Sequence, residues 1–251
     1  TSKDGLTKPK SALGFDAEQE KVFDNILSNP HGIILVTGPT GSGKSTTLYT
    51  SLSELNTEDV NIITVEDPVE ANINGINQVQ VNNKADMTFA AALRSILRQD
   101  PDIIMIGEIR DGETAGIAVQ AAITGHLVVS TLHTNSAAST ITRLIDMGIE
   151  SYIVGDAVVG VIAQRLVRRL CTTCKQPRLV EDEERTQLGI PADEEDVIIY
   201  EPQGCPLCND TGYAGRIGVY EMMPVSRELQ AVIASGATAD VIEKQALKEG
   251  M

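Results

Sequence analysis

Gly38-Pro39-Thr40-Gly41-Ser42-Gly43-Lys44-Ser45-Thr46 follows the short apolar run Ile33 to Val36 and opens a stretch that reads as helix to about Leu55. The spacing Gly-x-x-x-x-Gly-Lys-Ser is that of a phosphate-binding loop, and a strand before it with a helix after it is the context the pattern requires. Glycines let the backbone turn N–H groups inward around a β-phosphate, while the positive end of the following helix points at the same charge. On this reading Gly38, Pro39, Thr40, Gly41, Ser42, Gly43, Lys44, Ser45 and Thr46 bind ATP. Lys44 reaches the β- and γ-phosphates and Ser45 ligates Mg²⁺.

Around the loop, apolar strands alternate with helices. Asp16 is placed to cap a helix running to about Ser28, with Val22, Phe23, Ile26 and Leu27 at helical spacing. Ile62 to Val65, Ile103 to Ile106 and Leu127 to Ser130 read as further buried strands, with helices expected over 89–97 and 113–123. Two more helices, about 136–147 and 151–165, are expected without a strand between them. Short apolar strands separated by helices mean a mostly parallel sheet covered on both faces. The expected fold is α/β, a RecA-like P-loop NTPase carrying a small tetracysteine subdomain and C-terminal helices. Residues 1–15 read as a linker or edge segment, 16–170 as the core, 171–218 as the tetracysteine subdomain and 219–251 as a helical segment cut short at Met251, with two short helices over 226–250 meeting at Ser235-Gly236.

Phosphoryl transfer needs a Mg²⁺-supporting acid and a group that orients the attacking water. Ile103-Ile104-Met105-Ile106-Gly107-Glu108 delivers a carboxylate at the C-terminal end of a strand, where open α/β sheets place their ligands, so Glu108 is the first choice. Glu66-Asp67-Pro68-Val69-Glu70 does the same after the preceding strand, with Pro68 fixing the turn, and Glu66 is the second catalytic candidate. His126 and His133 bracket the fourth strand. His133, at its C-terminal end, is placed to donate to a γ-phosphate; His126 serves equally well as a structural donor.

Cys171-x-x-Cys174 and Cys205-x-x-Cys208 use every cysteine in the chain. Paired knuckles of this kind read as a tetrahedral Cys₄ zinc site, structural because no coordination position is open. Disulfides, disfavoured in a reducing cytoplasm, and free thiols are the alternatives. The surroundings are loop-like and rich in Asp and Glu over 181–196, so something other than a hydrophobic core must hold them together.

The chain has 251 residues, a formal charge of −15, 3% aromatic residues and no Trp. A surface so acidic repels a phosphate backbone, and the scarcity of rings argues against a base-stacking platform, although Arg165, Arg168 and Arg169 form a local basic patch. No stretch reaches 18 apolar residues, so a cytoplasmic location with no direct membrane insertion is expected.

Taken in order, the loop at 38–46, Glu-Asp-Pro-Val-Glu at 66–70, Arg-Gln-Asp-Pro-Asp to Gly-Glu-Ile-Arg-Asp over 98–111, and Gly-His to Thr-Leu-His-Thr-Asn over 125–135 resemble the secretion-type ATPases of type II secretion and type IV pilus assembly. Cys-x-x-Cys-Lys and Gly-Cys-Pro-Leu-Cys-Asn-Asp-Thr-Gly-Tyr-Ala-Gly-Arg at 204–216 look like the zinc-binding element of the assembly and secretion branch. The resemblance implies a Walker A loop at 38–46, an aspartate box at 66–70, a Walker B carrying Glu108, and a histidine box holding His126 and His133. It further implies a homo-hexamer beneath an inner-membrane platform protein and its cytoplasmic adaptor. ATP, Mg²⁺ and Zn²⁺ are the expected cofactors, with no nucleic acid as partner. Family members also carry a preceding domain that supplies arginines to the nucleotide, and residues 1–251 begin too late to include it; slow hydrolysis by a largely monomeric chain is therefore expected. A nucleic-acid translocating RecA-like motor and a non-hydrolysing nucleotide-binding scaffold are the competing readings.

Overall fold

A computed structural model of the protein describes residues 8–191, 193–194 and 196–251. Contacts divide the chain into two units, one comprising residues up to Arg165 with Gly218–Met251, the other Leu166–Ile217.

In the first unit the chain forms α1 (Ala17–Leu27), β1 (Gly32–Thr37), α2 (Lys44–Leu55), β2 (Ile62–Glu66), β3 (Asn77–Gln80), α3 (Phe89–Ile96) and β4 (Ile103–Ile106). It continues through α4 (Gly112–Ile123), β5 (Leu127–Leu132), α5 (Ala137–Asp146), α6 (Ser151–Ala157) and β6 (Val158–Leu170). β7 (Gln176–Leu179), α7 (Asp182–Leu188) and β8 (Ile198–Glu201) lie in the second unit, and β9 (Tyr213–Pro224), α8 (Arg227–Ala234) and α9 (Ala239–Lys248) complete the chain. The strands form a seven-stranded sheet in the order β3-β2-β4-β5-β1-β6-β9, and the neighbours from β3 to β6 pair in parallel.

Every residue of β1, β2, β4 and β5 is buried, the signature of a sheet covered on both sides. The two-residue period divides their side chains into two cores. Ile33, Leu35, Val65, Ile104, Ile106 and Val128 pack against side chains from α3, α4, α5, α6, α8 and α9. Ile34, Val36, Ile62, Met105 and Val129 pack against Phe23, Ile26 and Leu27 of α1 and Leu48, Tyr49 and Leu52 of α2. Asp16 caps α1 by accepting from the N–H groups of Glu18 and Gln19. Among the described residues, no helix is long and apolar enough to cross a membrane.

The chain departs from the sequence reading in three places. The helix expected over 151–165 ends at Ala157, and Val158–Leu170 continues as β6 beside β1. Val158, Val159, Val161 and Ile162 are β-branched and favour the pleat, and Gly160 lets β6 approach Ile26, whose Cγ2 lies only 2.6 Å from where a Cβ would stand. The segment 219–251 opens as strand, through Pro224 of β9, while the two helices expected over 226–250 form as α8 and α9 on either side of Ser235-Gly236. In the edge segment, residues 1–7 lie outside the described residues, but Leu13 is buried, Phe15 stacks against Phe23 and Tyr220 with ring centroids 4.9 and 4.7 Å away, and the Tyr220 hydroxyl donates to the Leu13 carbonyl at 2.8 Å. Residues 13–15 are therefore part of the packed unit.

The second unit holds the antiparallel pair β7 and β8 and the short helix α7. Arg178 joins them by ion pairs to Glu184 at 2.5 Å and Glu201 at 3.1 Å. Among its described residues the buried apolar side chains are Cys171, Cys174 and Cys208.

Phe23 is wholly buried between α1 and the sheet. Replacing it with Ala should cost about 3–5 kcal/mol of stability, read as a fall in the urea midpoint, whereas a loss below about 1 kcal/mol would contradict this packing.

Candidate functional site

Thr37 ends β1, and the chain then turns through Gly38, Gly41 and Gly43 at φ of 144°, 80° and 90° before α2 begins at Lys44. At Gly38 the need for glycine is steric as well as torsional. An added Cβ would lie 2.3 Å from the Gln164 carbonyl oxygen and 2.7 Å from Ser42 Oγ. Gln164, midway along β6 and within the first unit, donates from its side-chain amide to the Ser42 carbonyl at 2.7 Å and so holds the loop. No side chain caps α2, so its first N–H groups face the loop. Lys44 is half-buried and donates to the carbonyls of Gly38 and Pro39 at 2.9 and 3.1 Å. Burial lowers its pKa, and the nearby Glu108 carboxylate works against that shift. Loop N–H groups, a helix start and a lysine thus share one concave turn, an arrangement that receives phosphate.

The acids approach the same sheet edge. β5 lies between β1 and β4, so Glu108, two residues beyond β4, and His133, directly after β5, leave the sheet at the same edge as the loop that follows β1. Glu108 accepts from Arg110 Nη2 at 2.5 Å, and its other oxygen lies 3.5 Å from His133 Nε2. Arg110 also reaches Asp67, at 3.8 Å. The hydrogen bond from Arg110 holds the Glu108 carboxyl below its ordinary pKa, against the cost of partial burial and with help from His133. The result is an ionised carboxylate on a polar edge. Ser45 Oγ donates to Glu70 Oε1 at 2.8 Å. A hydroxyl and a carboxylate together are hard oxygen donors, the set that suits Mg²⁺.

Glu66 and His126 stand apart from this group. Glu66 is 4% exposed, and its carboxylate accepts from the Tyr49 hydroxyl, from Thr64 Oγ1 at 2.6 Å and from Gln78 Nε2 at 3.0 Å. His126 precedes β5, at the opposite end from His133, and its Nδ1 lies 3.0 Å from the Ala121 carbonyl at the end of α4. Pro39 and Thr40 lie exposed at the tip of the loop, while Thr46 is half-buried in the first turn of α2.

In the second unit the four cysteine sulfurs all lie within 4.8 Å of one another. The separations are 4.0 Å for Cys171 and Cys205, 3.8 Å for Cys174 and Cys208, and 3.7 Å for Cys205 and Cys208. A tetrahedral site with Zn–S bonds of about 2.3 Å requires sulfurs about 3.8 Å apart, so the cluster could hold such an ion. The N–H groups of Cys205 and Gly212 both donate to Cys208 Sγ, at 3.2 Å. Although burial opposes it, these donors bring the Cys208 thiol down to about 6.

A model of the family described as type II/IV secretion system protein matches residues 3–251. The chain belongs to that family. A curated relative within it, type II secretion system ATPase E of Vibrio cholerae, is 55% identical over 233 residues, which cover 93% of this chain and 46% of the relative. The type IV pilus assembly ATPase PilB of Myxococcus xanthus is 52% identical over 251 residues, 99% of this chain and 44% of the relative. The chain thus spans somewhat under half the length of these relatives. Among solved structures, the pilus retraction motor PilT with bound ADP aligns with a TM-score of 0.71 at 30% identity, over 96% of this chain and 60% of that one. The Legionella pneumophila ATPase DotB, with a TM-score of 0.67 at 24% identity, shares the fold.

Arg110, Glu70 and Tyr49 escaped the sequence reading as partners of the site. The signals were present. Arg110 stands two residues beyond Glu108, the spacing that returns a side chain to the same side of an extended chain, and Tyr49 stands four residues beyond Ser45 on one helix face.

Because Arg110 depresses Glu108, their pairing adds stability above the ordinary carboxylate pKa of about 4.3 and loses it as pH falls through the lower folded value. Replacing Arg110 with Ala should move the Glu108 carboxyl midpoint upward in a carbon-detected NMR titration. An unmoved midpoint would show that the pair does not set the charge of Glu108.

Proposed function

We propose that the chain is the nucleotide-hydrolysing part of an ATPase that drives assembly of pilin-like filaments, in type II secretion or in type IV pilus biogenesis. The observation that carries this reading is the placement of Glu108, ionised and joined to Arg110 and His133, at the sheet edge that also presents Lys44 and the glycine loop.

The N–H groups over Gly38 to Thr46 receive the β- and γ-phosphates, and Lys44 neutralises their charge. Glu108 orients the attacking water and accepts its proton, as a carboxylate held ionised at the strand end can. His133, beside Glu108, donates toward the γ-phosphate. Ser45 would hold Mg²⁺, which when bound would supply neutralisation of the phosphate charge. In the second unit, Cys171, Cys174, Cys205 and Cys208 hold a structural zinc ion that takes the place of a core. The names of the relatives support an ATPase of secretion or pilus assembly. The resemblance of the motifs is what suggests a cytoplasmic homo-hexamer working peripheral to the inner membrane through a platform protein and its adaptor.

In a fluorescent-nucleotide titration, Lys44→Ala should lose binding while Glu108→Gln keeps it. Glu108→Gln should also lose phosphate release by about 100-fold or more, the lower range for removing a general base. Wild-type turnover by Glu108→Gln would remove Glu108 from the catalytic role. The unaltered chain should hydrolyse slowly as a monomer, and fast turnover by a demonstrated monomer would contradict its dependence on ring neighbours.

Elemental analysis of protein purified without added metal should give about one zinc per chain, as a closed Cys₄ site binds. Four freely titrating thiols and no zinc would exclude the site.

A further inference from the structure

Tyr49 touches the segment Glu66-Asp67-Pro68-Val69-Glu70 at both ends. Its hydroxyl donates to Glu66 Oε2 and accepts from the N–H groups of Glu70 at 3.1 Å and Ala71 at 3.4 Å. Gln78 stitches the same stretch from β3, donating to Glu66 Oε1 at 3.0 Å and to the Ala71 carbonyl at 2.9 Å, while its own oxygen accepts from Ile73 N–H at 2.9 Å. At the surface end, the Glu70 carboxylate accepts from Ser45 Oγ at 2.8 Å.

A carboxylate buried like Glu66 persists only where donors replace the water it has lost. Tyr49, Thr64 and Gln78 do so here, and they leave no side of Glu66 facing solvent. That environment is wrong for handling a water molecule. It is well suited to fixing the direction of the Tyr49 hydroxyl, because a charged acceptor binds a neutral donor more strongly than a neutral acceptor does. Burial also raises the Tyr49 pKa, so the ring stays a donor throughout the working range. With its proton committed to Glu66, the hydroxyl presents its lone pairs to the Glu70 and Ala71 N–H groups. Ser45 and Tyr49 occupy one face of α2, four residues apart, so a single rigid helix carries both the partner of the Glu70 carboxylate and the partner of its backbone.

We propose that Tyr49 and Glu66 are a positioning pair that holds the Glu70 carboxylate beside Ser45, so that Glu70 helps to retain Mg²⁺ at the nucleotide site. The proposal rests on the phosphate-loop reading of the site. It moves Glu66 from direct contact with the reaction to an indirect role, and gives Glu70 the contact instead.

The test compares this chain with Tyr49→Phe, Glu70→Ala and the double variant. It measures the Mg²⁺ concentration giving half-maximal binding of a fluorescent ATP analogue, with thermal unfolding recorded alongside. Each single substitution should raise that concentration on the order of fivefold, the size of coupling found within one hydrogen-bond network, and the double variant should match Glu70→Ala alone. Tyr49→Phe that lowers the melting temperature but leaves the Mg²⁺ requirement unchanged would overturn the proposal, as would a double variant whose shift is the sum of the two. Glu70 is exposed, so Glu70→Ala folds whatever becomes of the Tyr49 variant, and an unchanged Mg²⁺ requirement for it alone also overturns the proposal. Failure of the unsubstituted chain to bind the analogue would instead overturn the nucleotide reading beneath it.

Discussion

The parallel registration of β2, β4, β5 and β1 is the constraint on which the site depends. Val65 pairs with Ile106, Ile106 with Ser130, and Val36 with Thr131, so the C-terminal ends of four strands from distant parts of the chain coincide. The register is fixed because each strand is buried on both faces, and a slip of one residue would exchange the two cores. Buried hydroxyls add a second lock at that edge. Ser130 donates to the Ile106 carbonyl and Thr131 to that of Gly107, both at 2.7 Å, and Thr37 donates to the Leu132 carbonyl at 2.9 Å. These bonds satisfy the carbonyls just where the strands give way to loops, and they set the directions in which Gly38, Glu108 and His133 leave the sheet.

Three glutamates near this edge show how environment, more than residue type, assigns a role. Glu108 stands at a polar rim with a guanidinium and an imidazole beside it, which keep it charged while leaving it within reach of solvent. Glu66 ends the neighbouring strand in much the same sequence context, yet it is enclosed by donors from α2, β2 and β3. Glu70 lies on the exposed turn between β2 and β3, with Ser45 as its partner. A charge at a strand end is thus available for chemistry only where the adjoining elements leave it a free side, and in this fold β3 closes that side for Glu66.

That difference marks where sequence reading stops. The glycine loop, the strand-ending Glu108 and the paired Cys-x-x-Cys knuckles were legible because each is a local pattern whose chemistry needs fixed spacing. β3 was not, because Asn77-Gln78-Val79-Gln80 carries one apolar side chain, and an edge strand needs no more. β6 read as helix because Val158 to Ala163 is apolar on both faces and so has no visible period, and only its place beside β1 decides in favour of strand. The partners of Glu66 come from α2, β2 and β3, and no spacing within one segment announces a contact that the fold alone creates.

The loop itself shows the same division of labour. Its glycines permit φ values that other residues resist, but permission does not select a conformation. Selection comes from β6, more than a hundred residues later, where Gln164 places its backbone carbonyl against Gly38 and its amide on the Ser42 carbonyl. A glycine-rich turn free of such a neighbour would sample many shapes and bear the entropy of ordering when phosphate arrives. With β6 packed beside β1, most of that ordering is complete on folding. The strand that looked most like a helix in the sequence is therefore the element that preorganises the motif from which the fold was first read.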